Sequence, residues 1–234
     1  MTNSEKQLRL NKQLVELGLS LSRRKADEAI GQGLVLVNGE VASLGDKVDQ
    51  ADSIALAGKS GKSRGNITVA FNKPPGYVCS HTGQGNEKTI FKLLPKNFSS
   101  LKIAGRLDKD SQGLLILSSD GDLVQKLSHP SSGKSKEYIV NLKTSFNSPD
   151  KKKLIEGVKL DDGISRFESL KILSHTRLRV VLQEGKNRQI RRSFESLGYL
   201  VIRLERVRLG SIELGTLGEG KFEFVHLDSS GDKK

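Results

Sequence analysis

Gly105-Arg106-Leu107-Asp108-Lys109-Asp110-Ser111-Gln112-Gly113-Leu114-Leu115-Ile116-Leu117 runs from an ionisable turn straight into an unbroken apolar segment. Leu114 to Leu117 is short and wholly apolar, which reads as a strand buried on both faces, ended by the turn pair Asp120-Gly121. Leu101 to Ala104 ahead of it reads as another strand. Asp108 therefore stands in a strand-to-strand connection beside Arg106, and a nearby positive charge keeps a carboxylate ionised and acceptor-only. On these residues alone two readings stay open. Asp108 is a nucleophile or general base, or it is a turn or N-cap Asp followed by Ser111 and Gly113.

Outward from this stretch the pattern is strand-rich. Ile67 to Phe71, the alternating Tyr138, Val140 and Leu142, Leu178 to Leu182, and Phe222 with Phe224 all read as strands. In Val201 to Glu205 the alternation sets Ile202 and Leu204 together against Val201, Arg203 and Glu205. Helices fit 122–128, 149–156 and 188–197. The last of these begins Asn187-Arg188-Gln189-Ile190-Arg191-Arg192, with Ile190, Phe194 and Leu197 as its apolar stripe. Its three arginines read as phosphate contacts, as partners for a buried carboxylate, or as a solvated basic face. Tyr138, one of three tyrosines, reads as a stacking surface for a base or as plain core.

The first part of the chain differs. Leu10, Leu14 and Leu17 share one helical face that Gly18 ends, and Ser22 caps a second helix carrying Ala26, Ala29 and Ile30. Leu34-Val35-Leu36-Val37-Asn38-Gly39-Glu40-Val41 is a hairpin signal, because both turn residues need positive φ. A short strand fits 53–57. Arg9, Lys12, Arg23, Arg24 and Lys25 fall on the two helices, as a phosphate-binding patch or as ordinary helix surface. Residues 58–66 (Gly-Lys-Ser-Gly-Lys-Ser-Arg-Gly-Asn) cannot build a core and read as a linker. Residues 229–234 read as a frayed tail.

The 234 residues include 39 Lys and Arg against 27 Asp and Glu, a formal +12 with pI near 9.7. Residues 1–63 carry nine basic and eight acidic side chains, so the remainder holds a net +11. That imbalance points to a polyanionic partner such as nucleic acid. One cysteine, Cys79, excludes an internal disulfide and a cysteine-rich zinc site. No apolar run is long enough for a membrane helix, and the N-terminus lacks a secretion signal, so a cytoplasmic protein without membrane contact is expected. Several ligand motifs fail on single residues. The P-loop spacing before Gly133-Lys134-Ser135 meets Ser128, and that before Gly61-Lys62-Ser63 meets Leu56. The calcium-loop spacing from Asp108 ends on Ser119 where a Glu is required. The four histidines lack metal-ligand spacing.

Taken in order, these pieces resemble one family. Residues 8–57 resemble the small RNA-binding module of the S-four type, through Arg9-Leu10-Asn11-Lys12, Ser22-Arg23-Arg24-Lys25-Ala26 and Val35 to Val41. Residues 67–228 resemble RsuA-type pseudouridine synthases. The matching stretches are Asn72-Lys73-Pro74-Pro75-Gly76, Gly105 to Leu114, Lys136-Glu137-Tyr138 and Glu184 to Arg192. The resemblance implies an α+β protein: module 1–57, flexible linker 58–66, and a synthase domain 67–228 on a mostly antiparallel mixed sheet with flanking helices, then a disordered tail 229–234. It implies Asp108 as catalytic nucleophile, Arg191 as its ion-pair partner and Tyr138 packed on the target base. It implies Arg106 holding the flipped-out nucleotide, Leu182 lining the pocket and Lys73 positioning the surrounding residues. Arg188 and Arg192 are expected at the substrate, and Arg9, Lys12, Arg23, Arg24 and Lys25 at RNA in the small module.

The family's chemistry is uridine isomerisation in ribosomal RNA without cofactor or metal. The expected partner is ribosomal RNA or a ribosomal subunit precursor, and the expected state is a monomer. The motif wording resembles large-subunit enzymes. A non-catalytic assembly factor, and a synthase for tRNA or small-subunit RNA, are the alternatives. Ser193 departs from the family, where Met is common.

Overall fold

The computed structural model describes residues 7–49, 51–56, 59–60, 67–83, 85–129, 132–228 and 230–232. The chain divides into two compact units, 1–66 and 67–234.

In the first unit, β1 (Leu8–Arg9) leads into α1 (Leu10–Glu16), followed by α2 (Arg23–Gly31), β2 (Val35–Val37), β3 (Glu40–Val41), β4 (Lys47–Val48), β5 (Ile54–Leu56) and β6 (Lys59–Ser60). Ser22 caps α2 by accepting from Lys25 N. Leu10, Leu14, Ala26 and Ile30 pack on Val35, Val48 and Ile54 as its core. Asn38 and Gly39 take φ of 52° and 88°, the turn that the hairpin signal requires. The expected linker is shorter than 58–66, because Lys59 and Ser60 pair with β5 and extend the sheet β3-β2-β5-β6. Residues 58 and 61–66 lie outside the described residues.

The second unit contains β7 (Thr68–Lys73), β8 (Lys102–Ala104), β9 (Gln112–Ser118), α3 (Gly121–Ser128), β10 (Lys136–Leu142), α4 (Asp150–Glu156), β11 (Val158–Leu160), β12 (Gly163–Ser165), β13 (Ser169–Ile172), β14 (Arg177–Leu182), α5 (Gln189–Glu195), β15 (Val201–Leu209), β16 (Ile212–Glu213) and β17 (Phe222–Phe224). Among the described residues these build a nine-stranded sheet in the order β13-β14-β10-β15-β9-β7-β17, with β16 on β15 and β8 on β9. Every pairing is antiparallel except β9 with β15, which is parallel and only two residue pairs long, Gln112 with Glu205 and Gly113 with Arg206. The expected α+β class with a mostly antiparallel sheet is what forms. The apolar run 114–117 is buried on both faces. Leu115 and Leu117 enter the larger core with Phe71, Val140 and Phe194, while Leu114 and Ile116 pack with Leu123 and Leu127 of α3.

Two expectations change here. Ile202 does not share a face with Leu204. The pairing of β15 with β10 skips Ile202, since Asn141 faces Arg203 and Leu142 faces Val201. This bulge resets the alternation, buries Val201 and Leu204, and leaves Ile202 61% exposed. The tail is also pinned at 230–232. Asp232 accepts from Lys134 Nζ at 2.8 and 2.9 Å, and Gly231 is buried against Leu127. The Lys134 and Ser230 hydrogen bonds hold the Asp232 carboxyl down to about 2. Residues 229, 233 and 234 lie outside the described residues. Among the described residues, no helix is long and apolar enough to cross a membrane.

Candidate active site

A cleft of about 710 Å³ opens on the second unit where the β8–β9 connection meets the middle of the sheet. Asp108, Arg106, Tyr138, Leu182 and Arg188 line it, five of the residues singled out by sequence. Strand register explains the floor. Tyr138 on β10 faces Arg206 on β15 and Val180 on β14, and Lys136, two residues earlier, faces Leu182. Residues opposite one another across antiparallel strands project to the same face, so the base-stacking candidate and the apolar wall arrive together.

The Asp108 loop is fixed from beneath by Lys73. This side chain is fully buried, and its ammonium donates to the carbonyls of Ser111 (2.7 Å), Pro74 (3.1 Å), Asp108 (3.1 Å) and Lys109 (3.3 Å). Burial pushes the Lys73 pKa down, and the charges of the Asp110 and Asp108 carboxylates oppose this. Lys73 thus positions the loop without lining the cleft. Cys79 is buried, receives the Leu107 amide at 3.5 Å, and has its thiol pKa raised by burial, so it stays a packed thiol.

The arginines of α5 divide in a way the resemblance did not anticipate. Arg191 does not pair with Asp108. Its Nη1 donates to Val201 O and its Nη2 to Asp110 O, and its buried Nε faces Asp110 Oδ2 at 3.3 Å at too poor an angle for a hydrogen bond. Arg188 holds Asp110 in a two-pronged contact at 2.9 and 3.1 Å and comes within 3.9 Å of Asp108 Oδ2. The physical reason is reach: Asp110 stands two residues on from Asp108, on the side of the loop that faces both arginines, and takes the closer contacts. Burial pushes the Asp110 carboxyl up, but the Arg188 hydrogen bond and the Arg191 and Arg188 charges outweigh it, so its pKa falls below the usual carboxylate range. Arg192 lies outside the cleft lining and is bound in the same two-pronged way to Asp162 at 2.9 and 2.8 Å.

Arg188 caps α5 with φ +46°, one of two non-glycine residues in the left-handed region among those described. The turn before it is held by Gln189, which receives Lys186 N and donates to Ser165 and Glu184. Ser193, the family departure, is fully buried in the same network, donating to Gln189 O and bonding Ser165. A methionine there would leave the Ser165 hydroxyl short of a partner.

In the first unit Arg9, Arg23, Arg24 and Lys25 are exposed. Arg24 pairs with Glu28 at 3.6 Å. Lys12 departs from the expected surface patch: it is largely buried and pairs with Glu16 at 3.9 Å. Arg9 borders a smaller cleft of about 320 Å³ with Asn11, Asp27 and Asp46, where Asn11 ties the helices together by donating to Asp27.

Sequence reasoning missed Asp110, Lys136 as a cleft residue, and Arg206. The signal for Arg206 was present, because Leu204 and Arg206 share a strand face and Leu204 is apolar.

Comparison with known proteins agrees with this geometry. Residues 67–196 match the RNA pseudouridylate synthase model and residues 8–54 the S4 domain model. A "Ribosomal large subunit pseudouridine synthase B" of Xylella fastidiosa is 38% identical over 220 residues, covering 88% of this chain and 46% of its own length. The chain spans about half the length of such curated relatives. An "Uncharacterized RNA pseudouridine synthase" of Aquifex aeolicus is 34% identical and is covered over 87% of its length. A solved "pseudouridylate synthase" structure superposes with TM-score 0.66 at 29% identity, over 94% of this chain and 96% of that one. Cleft, fold and matched segments together place the chain in the RNA pseudouridylate synthase family, with an S4 domain ahead of the synthase segment.

Proposed function

We propose that this chain converts a uridine of ribosomal RNA, in the large subunit, to pseudouridine, with Asp108 as nucleophile and without a cofactor. The observation that carries the reading is the juxtaposition in one cleft of Asp108, Tyr138 and Leu182, with Asp108 on a loop held by a buried cation. Asp108 is 31% exposed, open enough to meet a substrate carbon. The target uridine leaves its stack to reach it. Exposed Arg106, two residues away, holds the flipped-out nucleotide, and Tyr138 and Leu182 receive the base.

The reaction breaks N1–C1′, turns the uracil and joins C5 to C1′; the C5 proton leaves and N1 gains one. Asp108 attacks C1′ or removes the C2′ proton. Asp110 and Arg188 anchor the loop to α5, and Arg191 acts on Asp108 through that anchor. The S4 unit is a second RNA contact on the same chain, where even weak binding raises effective concentration at the cleft. The names of the large-subunit relatives support the substrate class. The protein works as a monomer in the cytoplasm.

Carbodiimide mapping of pseudouridine on unmodified transcripts of both ribosomal RNAs tests this. A single new stop on the large-subunit RNA, absent with Asp108→Asn, is expected. A stop on small-subunit RNA or tRNA instead moves the substrate. No stop on any RNA or subunit precursor leaves a non-catalytic assembly factor.

A further inference from the structure

The cleft floor holds two buried cations that the roles above do not use. Arg206 is 1% exposed, and Lys136 is 8% exposed. The Arg206 Nε donates to Leu114 O at 2.8 Å, which fixes the guanidinium plane, while its Nη2 is buried and has no acceptor. Lys136 Nζ has one long contact, to Gln183 O at 3.4 Å. Neither cation lies within 4 Å of a carboxylate among the described residues. The acid that faces Lys136, Glu184, is itself engaged by Gln189 at 2.7 Å and approached by Lys186 at 3.9 Å. Burial and the Arg206 charge both push the Lys136 pKa down, and the register sets Arg206 opposite Tyr138, two residues from Lys136 on the same strand. Leaving a buried donor unmade costs about 1–3 kcal/mol, more for a charged group, so such a pair persists where something else supplies the acceptor.

The surroundings say what that acceptor is. Both cations share the strand face that carries Tyr138, Leu182 and Leu204, and all five line the cleft. A phosphodiester belongs to a solvated strand and sits at a rim. A planar base seated on Tyr138 and Leu182 carries its carbonyl oxygens down to this floor. The need is also chemical. Breaking N1–C1′ leaves the electron pair on N1, from which it spreads to O2 and O4 of the uracil. C1′ meanwhile bonds to the Asp108 carboxylate, or becomes part of a double bond after the C2′ proton leaves. The free base is an anion until C5 bonds to C1′. Fixed donors aimed at developing charge in a water-poor site stabilise a transition state without reorganising.

We infer that Arg206, assisted by Lys136, is the anion site for the departing uracil, binding its carbonyl oxygens as the glycosidic bond breaks. This rests on the pseudouridine synthase reading and adds two substrate-contacting residues to it.

The test uses full-length protein, single turnover at saturating RNA, and two substrates: the transcript with uridine, and the same transcript with 5-fluorouridine, whose more acidic base departs with less help. Arg206→Gln and Lys136→Met are compared with the parent protein. Expected with uridine is a rate loss of about 100-fold for Arg206→Gln and about 10-fold for Lys136→Met, with RNA Kd within about threefold. With 5-fluorouridine the loss in glycosidic cleavage shrinks by at least about tenfold. Equal losses on both substrates, or a loss in Kd alone, overturn the assignment. Should Arg206→Gln fail to fold, Arg206→Lys and Lys136→Met decide by the same ratio. If the parent protein forms no pseudouridine on any RNA, the functional reading falls together with this one. If the parent is active and the variants lose rate equally on both substrates, only this one falls.

Discussion

The cleft has two sets of cations, and they are treated in opposite ways. At the rim, Arg188 shares Asp110 with Arg191, which is not part of the cleft lining, and Arg188 and Asp110 are both open to solvent. On the floor, Arg206 and Lys136 are buried and lack a carboxylate. The rim charges are paired with a carboxylate of the protein itself, although Arg191 Nε makes no hydrogen bond, so the pairing locks the Asp108 loop to α5 before any RNA arrives. The floor is unsatisfied by the protein, so its worth appears only when a ligand brings the missing acceptors.

The strongest way to break this comparison is to remove the group between the two sets. Asp108→Asn is expected to lower single-turnover rate by more than about 10³-fold while RNA Kd stays within a few-fold, as is usual when a nucleophile is lost. Retained turnover would show that neither set serves a reaction at Asp108. Lys73→Met tests a third kind of cation, buried yet satisfied by four carbonyls. Loss of those bonds should destabilise the protein by about 3 kcal/mol, read as a lower denaturant midpoint, with the rate falling alongside. An unchanged midpoint would mean that the loop holds itself.

Asp110→Asn sharpens the rim. It frees Arg188 and Arg191 from their acid and should cost about 10-fold to 100-fold in rate, since the loop loses its anchor. A pH series adds a sign. The Asp110 pKa is depressed in the fold, so its stabilising contribution is complete above the ordinary carboxylate value and is lost as pH falls through the lower folded value. Melting temperatures of the parent and Asp110→Asn should therefore differ near neutrality and converge in acid. A gap that persists unchanged in strong acid contradicts an electrostatic anchor. The smallest effect belongs to the first unit. Deleting residues 1–62 should raise RNA Kd about 10-fold and leave single-turnover rate at saturating RNA unchanged. A collapsed rate at saturation would put part of the chemistry outside the cleft.

Much of this was legible in the sequence because it rests on local rules. The Asn38-Gly39 turn, the Ser22 cap and the doubly buried run 114–117 each follow from a few neighbouring residues. Asp108, Tyr138 and Leu182 meet in the cleft as the family motifs imply. What was not legible depends on distant partners. The bulge at Ile202 is set by the pairing with Asn141 and Leu142, about sixty residues earlier in the chain. Arg191 turns to Asp110 because the loop and α5 approach each other only in the fold, and two acids two residues apart compete for it. Arg206 looks like any strand arginine until the sheet closes over it. Lys59 and Ser60 look like linker until β5 offers them an edge.

The parallel joint between β9 and β15 carries a longer consequence. Only two residue pairs span it, and at Gly113 any side chain would strike the Arg206 backbone carbonyl. The floor of β14, β10 and β15 and the Asp108 loop ahead of β9 thus meet along a narrow seam. Tyr138 and Lys136 on β10 and Leu182 on β14 share a cleft with Asp108 only while that seam holds, so a side chain at position 113 would part the nucleophile from the floor that seats the base.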